Sequence, residues 1–167
     1  IGILRDNEMI VLTKPGAMPQ VYHTVRDQAT PTEDAVRITS LRSLRSHPDG
    51  VTFYRIEYLG RAMVFATDTE GYVGGNQGLI RFAHGADLLI HDAELIEEEY
   101  QSKQGWGHST WKMACDVGRQ AQVGRLALTH HNALHTDDFL DALEQKVQAE
   151  LPNAFLTREG MTIDLCA

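Results

Sequence analysis

The chain has 167 residues, with 15 Lys+Arg against 23 Asp+Glu, a formal charge of −8 with His neutral, and 43% apolar residues. That length suits one domain with a real core, since about 150 residues bury roughly 68–70% of their unfolded surface. The acidic excess weighs against a nucleic-acid grip built on phosphate neutralisation, no apolar run approaches the ~18 residues of a membrane span, and Cys115 and Cys166 are too few for a disulfide framework.

Ile1 is preceded by neither an initiator Met nor the basic and apolar stretch of a signal peptide, so the sequence reads as trimmed or as part of a longer polypeptide. Residues 1–49 hold four of the five prolines (Pro15, Pro19, Pro31, Pro48) and read as irregular surface with one or two short strands, chiefly Glu8 to Leu12. From Gly50 the pattern sharpens into a βα-rich segment running to residue 167. Val51 to Tyr58 alternates, Leu59-Gly60-Arg61 turns, and Ala62 to Ala66 returns, which predicts a hairpin. Gln77 to Ala83 fits a short helix, and Asp87-Leu88-Leu89-Ile90-His91 is a run of buried-strand length. Ala93 to Lys103 is a candidate acidic helix. Ser109 is placed to cap a helix through about Gln122, with Trp111, Ala114, Cys115 and Gly118 at helical spacing. Arg125 to Thr129 predicts another buried strand. Asp137 to Ala149 predicts a helix with Phe139, Leu140, Leu143 and Val147 as its inward stripe. Strands alternating with helices imply an α/β layered domain, with both thiols buried and free. The chain reads as soluble and cytoplasmic.

Four polar marks stand at the ends of these elements: His47-Pro48, Asp68 in Ala66-Thr67-Asp68-Thr69, His108-Ser109-Thr110, and His130-His131. Functional groups in open α/β sheets collect beyond strand ends, where a rigid frame holds reachable loops. If the strands ending at Ala66 and Thr129 are parallel or close, Asp68 and His130 meet at one sheet edge. Imidazole and carboxylate together suit a zinc-type cation, and one carboxylate can bridge two. Each mark also has a plain structural explanation. Asp68 can form a turn, Ser109 or Thr110 can cap a helix, and a strand-end His can serve as surface.

In order and context these residues resemble the C-terminal half of the metallo-β-lactamase superfamily, in its ribonuclease Z and phosphodiesterase-like branch. The match is carried by His47 ahead of Phe53-Tyr54-Arg55, by Thr67-Asp68-Thr69, by His91-Asp92-Ala93, by Gly107-His108-Ser109-Thr110 and by Leu128-Thr129-His130. The resemblance implies half of an αββα sandwich, with His47, Asp68 and His130 as metal ligands and Asp68 bridging. It also implies two zinc ions, manganese or iron being acceptable to the same ligands. His108 becomes the proton donor, held by Asp92 or His91, while Asp92 can equally cap the following helix. His131 and His135 read as supporting neighbours. The family's His-x-His-x-Asp-His does not occur in these 167 residues. The expectation is therefore the later half of a longer protein, whose open sheet face needs the missing half or a dimer partner. The reading is a metal-dependent hydrolase of a small phosphodiester. A ribonuclease Z-like RNA endonuclease and a catalytically silent interaction module are the alternatives.

Overall fold

Alternation between Val51 and Ala66 folds into the hairpin that anchors the sheet, and its turn residues Leu59 (φ 47°) and Gly60 (φ 75°) both adopt the left-handed conformation that a tight two-residue turn demands. The computed structural model describes residues 8–12, 20–23, 36–44, 46–48, 50–72 and 74–165. In chain order the elements are β1 (Glu8–Leu12), β2 (Gln20–His23), β3 (Val36–Ser43), β4 (Val51–Tyr58), β5 (Arg61–Ala66), α1 (Gln77–Ala83), β6 (Leu88–Asp92), α2 (Glu97–Lys103), α3 (Trp111–Ala121), β7 (Arg125–Thr129), α4 (Asp137–Glu150) and β8 (Ala154–Leu156). One eight-stranded sheet has the order β2-β1-β3-β4-β5-β6-β7-β8. Strands β1 to β5 pair antiparallel, whereas β5 to β8 run parallel. The domain is α/β and layered, as the sequence predicts.

Helices α1, α3 and α4 cover one sheet face. Phe53, Val64, Ala66, Leu89, Leu126, Leu128 and Leu156 point from the sheet into a single core with Leu79, Ala114, Val117, Leu143 and Val147 of those helices. Alternation sends Tyr54, Ile56, Met63, Phe65, Ile90 and Phe155 to the opposite face. Strand pairing aligns Tyr54 with Phe65 and Phe65 with Ile90 across that face. Phe65 remains 41% exposed there. No described helix is long and apolar enough to cross a membrane.

Several expectations are corrected. Strand β3 lies in the segment read as irregular. Apart from exposed Arg37 and Arg42 and buried Ser40, its residues are half-buried on both faces, so it lacks the polar contrast that a period-2 reading needs. Strand β8 is only three residues long. The acidic helix starts at Glu97, not Ala93, because Leu95 makes an isolated bridge to Thr110 and Glu99 accepts the N–H of Ile96 to cap the helix. Thr110 caps α3 by accepting the Met113 N–H at 3.3 Å, while the Ser109 hydroxyl instead donates to the Thr69 carbonyl. On α4, Leu143 and Val147 are buried, but Phe139 faces outward. Cys115 is buried and free, and burial pushes its thiol up to about 12, which makes it unreactive. Cys166 lies outside the described residues.

Two outcomes test this packing. Leu126 is fully buried beneath α3, so Leu126→Ala lowers stability by about 2–5 kcal/mol in urea denaturation. His91 is also buried, its Nδ1 2.7 Å from the Asp92 carbonyl, and burial pushes its imidazole below the ordinary range. The unfolded chain then takes up a proton on His91 near pH 6.5, where the folded chain does not. The stability contribution is complete above that pH and is lost as pH falls below it. Thermal melts of metal-free protein should show a loss between pH 7.5 and 5.5 that shrinks in His91→Asn; an unchanged difference would refute the assignment.

Candidate metal centre

Because β5, β6 and β7 are parallel neighbours, their C-terminal ends share one edge, and register places Ala66, His91 and Leu128 side by side. Asp68 follows β5 by two residues, Asp92 ends β6, and His130 follows β7 directly. Strand β4 runs antiparallel to β5, so the β3–β4 loop carrying His47 returns to the same edge. Helix α3 runs back toward the start of β7, which leaves its N-terminus, with His108-Ser109-Thr110, at that edge too. Topology thus gathers every polar mark that the sequence singles out.

Asp68, His108 and His130 each offer a ligand atom, and these atoms lie within 4.8 Å of one another. Asp68 Oδ1 and His130 Nδ1 are 4.0 Å apart, with side chains 48% and 40% exposed, so both are open to solvent. The His108 and His130 rings stack at 4.8 Å between centroids. His47 stands beside them, its ring edge-on to His108 at 6.2 Å, and is not one of the three close ligand residues. His108 is grouped with the candidate ligands, whereas the resemblance reserves it for proton transfer.

Two features single this edge out. Asp68 (φ 53°) and His130 (φ 63°) are both left-handed. Such a conformation costs a non-glycine residue of order 1–3 kcal/mol and persists only where surrounding structure enforces it. Asp92 is fully buried, and its carboxylate is saturated. Oδ2 accepts from His108 Nδ1 at 2.8 Å, while Oδ1 accepts the Glu94 N–H at 3.2 Å and the Ser109 N–H at 3.0 Å. Asp92 therefore holds His108 and organises the backbone after β6, but it does not cap the following helix, whose N-cap is Ile96. His91 does not touch His108 in this arrangement; its Nδ1 is engaged with the Asp92 carbonyl.

Glu94 and Glu70 escaped the sequence reading. Glu94 Oε2 lies 3.2 Å from His108 Nδ1. The spacing from Asp92 to Glu94 in extended backbone puts both on one side, so alternation alone could have flagged it. Glu70 accepts the N–H groups of Gly105 and Gly107 and the hydroxyl of Tyr100. Those partners lie 30 to 37 residues away, and no local signal announces them. Burial and the bond to Glu70 push the Tyr100 phenol up to about 12, so it stays a hydrogen-bond donor. His135 Nε2 bonds Glu99 Oε1 at 3.0 Å, and His131 lines a separate cleft with Asp137 and Arg158.

The carboxylate of Asp68 and the imidazole of His130 suit a zinc-type cation, with His108 within reach beside them. A family model for the beta-lactamase superfamily domain matches residues 3–131. Ribonuclease Z of Gemmatimonas aurantiaca is 38% identical over 106 residues, which are 64% of this chain and 32% of that protein. Ribonuclease Z of Haloferax volcanii is 34% identical over the same length, with the same two shares. Among solved structures, the metallo-beta-lactamase fold protein YhfI from Bacillus subtilis superposes with a TM-score of 0.62 at 23% identity, over 77% of this chain and 50% of that one. The short form of human tRNase Z gives 0.57 at 20% identity, over 83% and 46%. The chain spans about a third of the length of these curated relatives and about half of each solved chain. Matched over more than half of its length by the family model, and with a fold that agrees, the chain belongs to the metallo-β-lactamase superfamily.

Proposed function

We propose that this chain is the proton-donor half of a metal-dependent hydrolase that cleaves a phosphodiester bond in RNA. The carrying observation is the Asp68, His108 and His130 cluster with Asp92 buried behind His108. The curated relatives named ribonuclease Z favour RNA over the small phosphodiester that the acidic composition suggests. The charge of −8 remains the observation in favour of a small substrate. Under the RNA reading, the basic surface that grips the phosphate backbone belongs to the longer protein. The same longer protein supplies the remaining metal ligands and the second layer over the Tyr54, Ile56, Met63 and Phe65 face.

Asp68 and His130 would hold the metal, with His47 at its margin. A divalent cation held there would supply polarisation of the phosphoryl group and a lowered pKa for water. Everything else falls to side chains of this chain. Asp92 accepts the Nδ1 hydrogen of His108, which fixes the tautomer and leaves Nε2 as the working nitrogen. In its imidazolium form His108 carries a second hydrogen on Nε2; as water adds to phosphorus and the bond to the leaving nucleoside oxygen breaks, that hydrogen passes to the oxygen, and the hydrogen released by the attacking water restores Nε2–H through solvent. The negative charge of the departing group is thereby removed as it forms. Glu94, close to the same Nδ1, helps keep the ring from rotating.

Two variants separate metal holding from proton delivery. Asp68→Ala should bring zinc measured by elemental analysis down to background and abolish RNA cleavage. Asp92→Asn should keep the zinc yet lower kcat by about 10²- to 10⁴-fold, because an amide presents its NH₂ to Nδ1 and no longer stabilises the protonated imidazole that serves as the acid. Zinc lost in both variants would make His108 a ligand instead of a donor. Cleavage surviving Asp68→Ala would remove Asp68 from the machinery, and wild-type protein with neither bound zinc nor cleavage would leave the chain as a catalytically silent module.

A further inference from the structure

The backbone of Gly105-Trp106-Gly107 is fastened at every residue. Gly105 N–H and Gly107 N–H donate to the two oxygens of Glu70 at 2.8 and 3.1 Å, and Trp106 N–H donates to the Lys103 carbonyl at 3.2 Å. Glu70 is itself tied down. Tyr100 donates to its Oε1 at 2.8 Å, and its own N–H donates to the carbonyl of Ser46, the residue before His47, at 2.6 Å. The loop also presses on the site. A Cβ added to Gly107 (φ 95°) would lie 2.4 Å from the His47 ring, so only glycine allows this approach.

Trp106 nevertheless leaves 61% of its surface in water, whereas Trp111, the other tryptophan, is 6% exposed in the core. An indole held at its backbone, largely exposed and two residues from His108 in sequence is a π-surface open to a ligand at this edge. In a nucleic acid the planar apolar group next to each phosphodiester is a base. Stacking on an aromatic side chain needs no positive charge and tolerates any base. That suits a chain of net charge −8.

We infer that Trp106 stacks a nucleobase flanking the scissile phosphodiester, with Glu70 as the positioning residue that holds the platform. The inference rests on the phosphodiester reading above and extends it to a subsite. The test uses metal-loaded full-length protein and two oligoribonucleotides, one intact and one with abasic nucleotides on both sides of the cleaved bond. Trp106→Ala should lower kcat/KM on the intact RNA by about tenfold to a hundredfold, the range that one stacked base supports. Trp106→Phe should stay within about threefold, and Trp106→Leu should behave as the alanine variant does. On the abasic RNA the penalty of Trp106→Ala should shrink to about twofold, since the partner base is gone. Binding gives a readout free of turnover. In an Asp68→Ala background the intact RNA should quench tryptophan fluorescence, and Trp106→Phe should remove that quenching. Wild-type cleavage of RNA with no loss in Trp106→Ala overturns the stacking inference and leaves the phosphodiester reading standing. Wild type that cleaves neither RNA nor bis(p-nitrophenyl) phosphate overturns both.

Discussion

A carboxylate sealed from solvent at the end of a central strand cannot be left without donors, and the architecture of this edge follows from satisfying Asp92. An unpaired charge in that position would cost several kcal/mol, so three hydrogens must reach it: from Glu94, Ser109 and His108. Two of those donors belong to the segment that enters α3. The strand end and the helix entrance are therefore locked together, and His108 is aimed by the same bonds that neutralise the cost of burial. Structural necessity and the orientation of a reactive imidazole are here one set of contacts.

The neighbouring strands supply the rest by geometry. Parallel pairing of β5, β6 and β7 leaves no freedom in where their C-terminal ends fall, and the chain must turn sharply on leaving each. Asp68 and His130 make those turns in the left-handed region. Asp and His are among the residues that tolerate it best, yet the conformation still costs more than a glycine would. A protein that selects turn residues only for stability would place glycine or asparagine there. Retaining a carboxylate and an imidazole at two strained turns of one edge fits a site whose side chains matter more than its backbone comfort.

Glu70 plays for the loop what Asp92 plays for His108. It gathers Gly105, Gly107 and Tyr100 onto a residue two positions from Asp68, so the segments carrying Asp68, His47 and His108 cannot shift independently. A net-charge argument taken over the whole chain misses this local order. Charge of −8 describes the average field, whereas recognition at one edge is set by a few fixed groups.

Local periodicity and turn chemistry were enough to reveal the hairpin of β4 and β5, helix α1, strand β7 and nearly all of α4, because each is governed by neighbours in sequence. The same holds for His47, Asp68, His108 and His130, which stand at predicted element ends, whereas Asp92 was legible only through the family resemblance. Strand β3 was hidden because its burial shows little contrast between faces, and the early start assigned to α2 ignored the bridge that Leu95 makes to Thr110. The sequence by itself determined which residue types sit where strands stop. Only the tertiary structure decided which of them meet. It set Asp68, His108 and His130 within reach of one another, held His47 slightly apart, and recruited Glu70 and Glu94, since those distances arise from parallel strand pairing and from hydrogen bonds spanning tens of residues that no local pattern encodes.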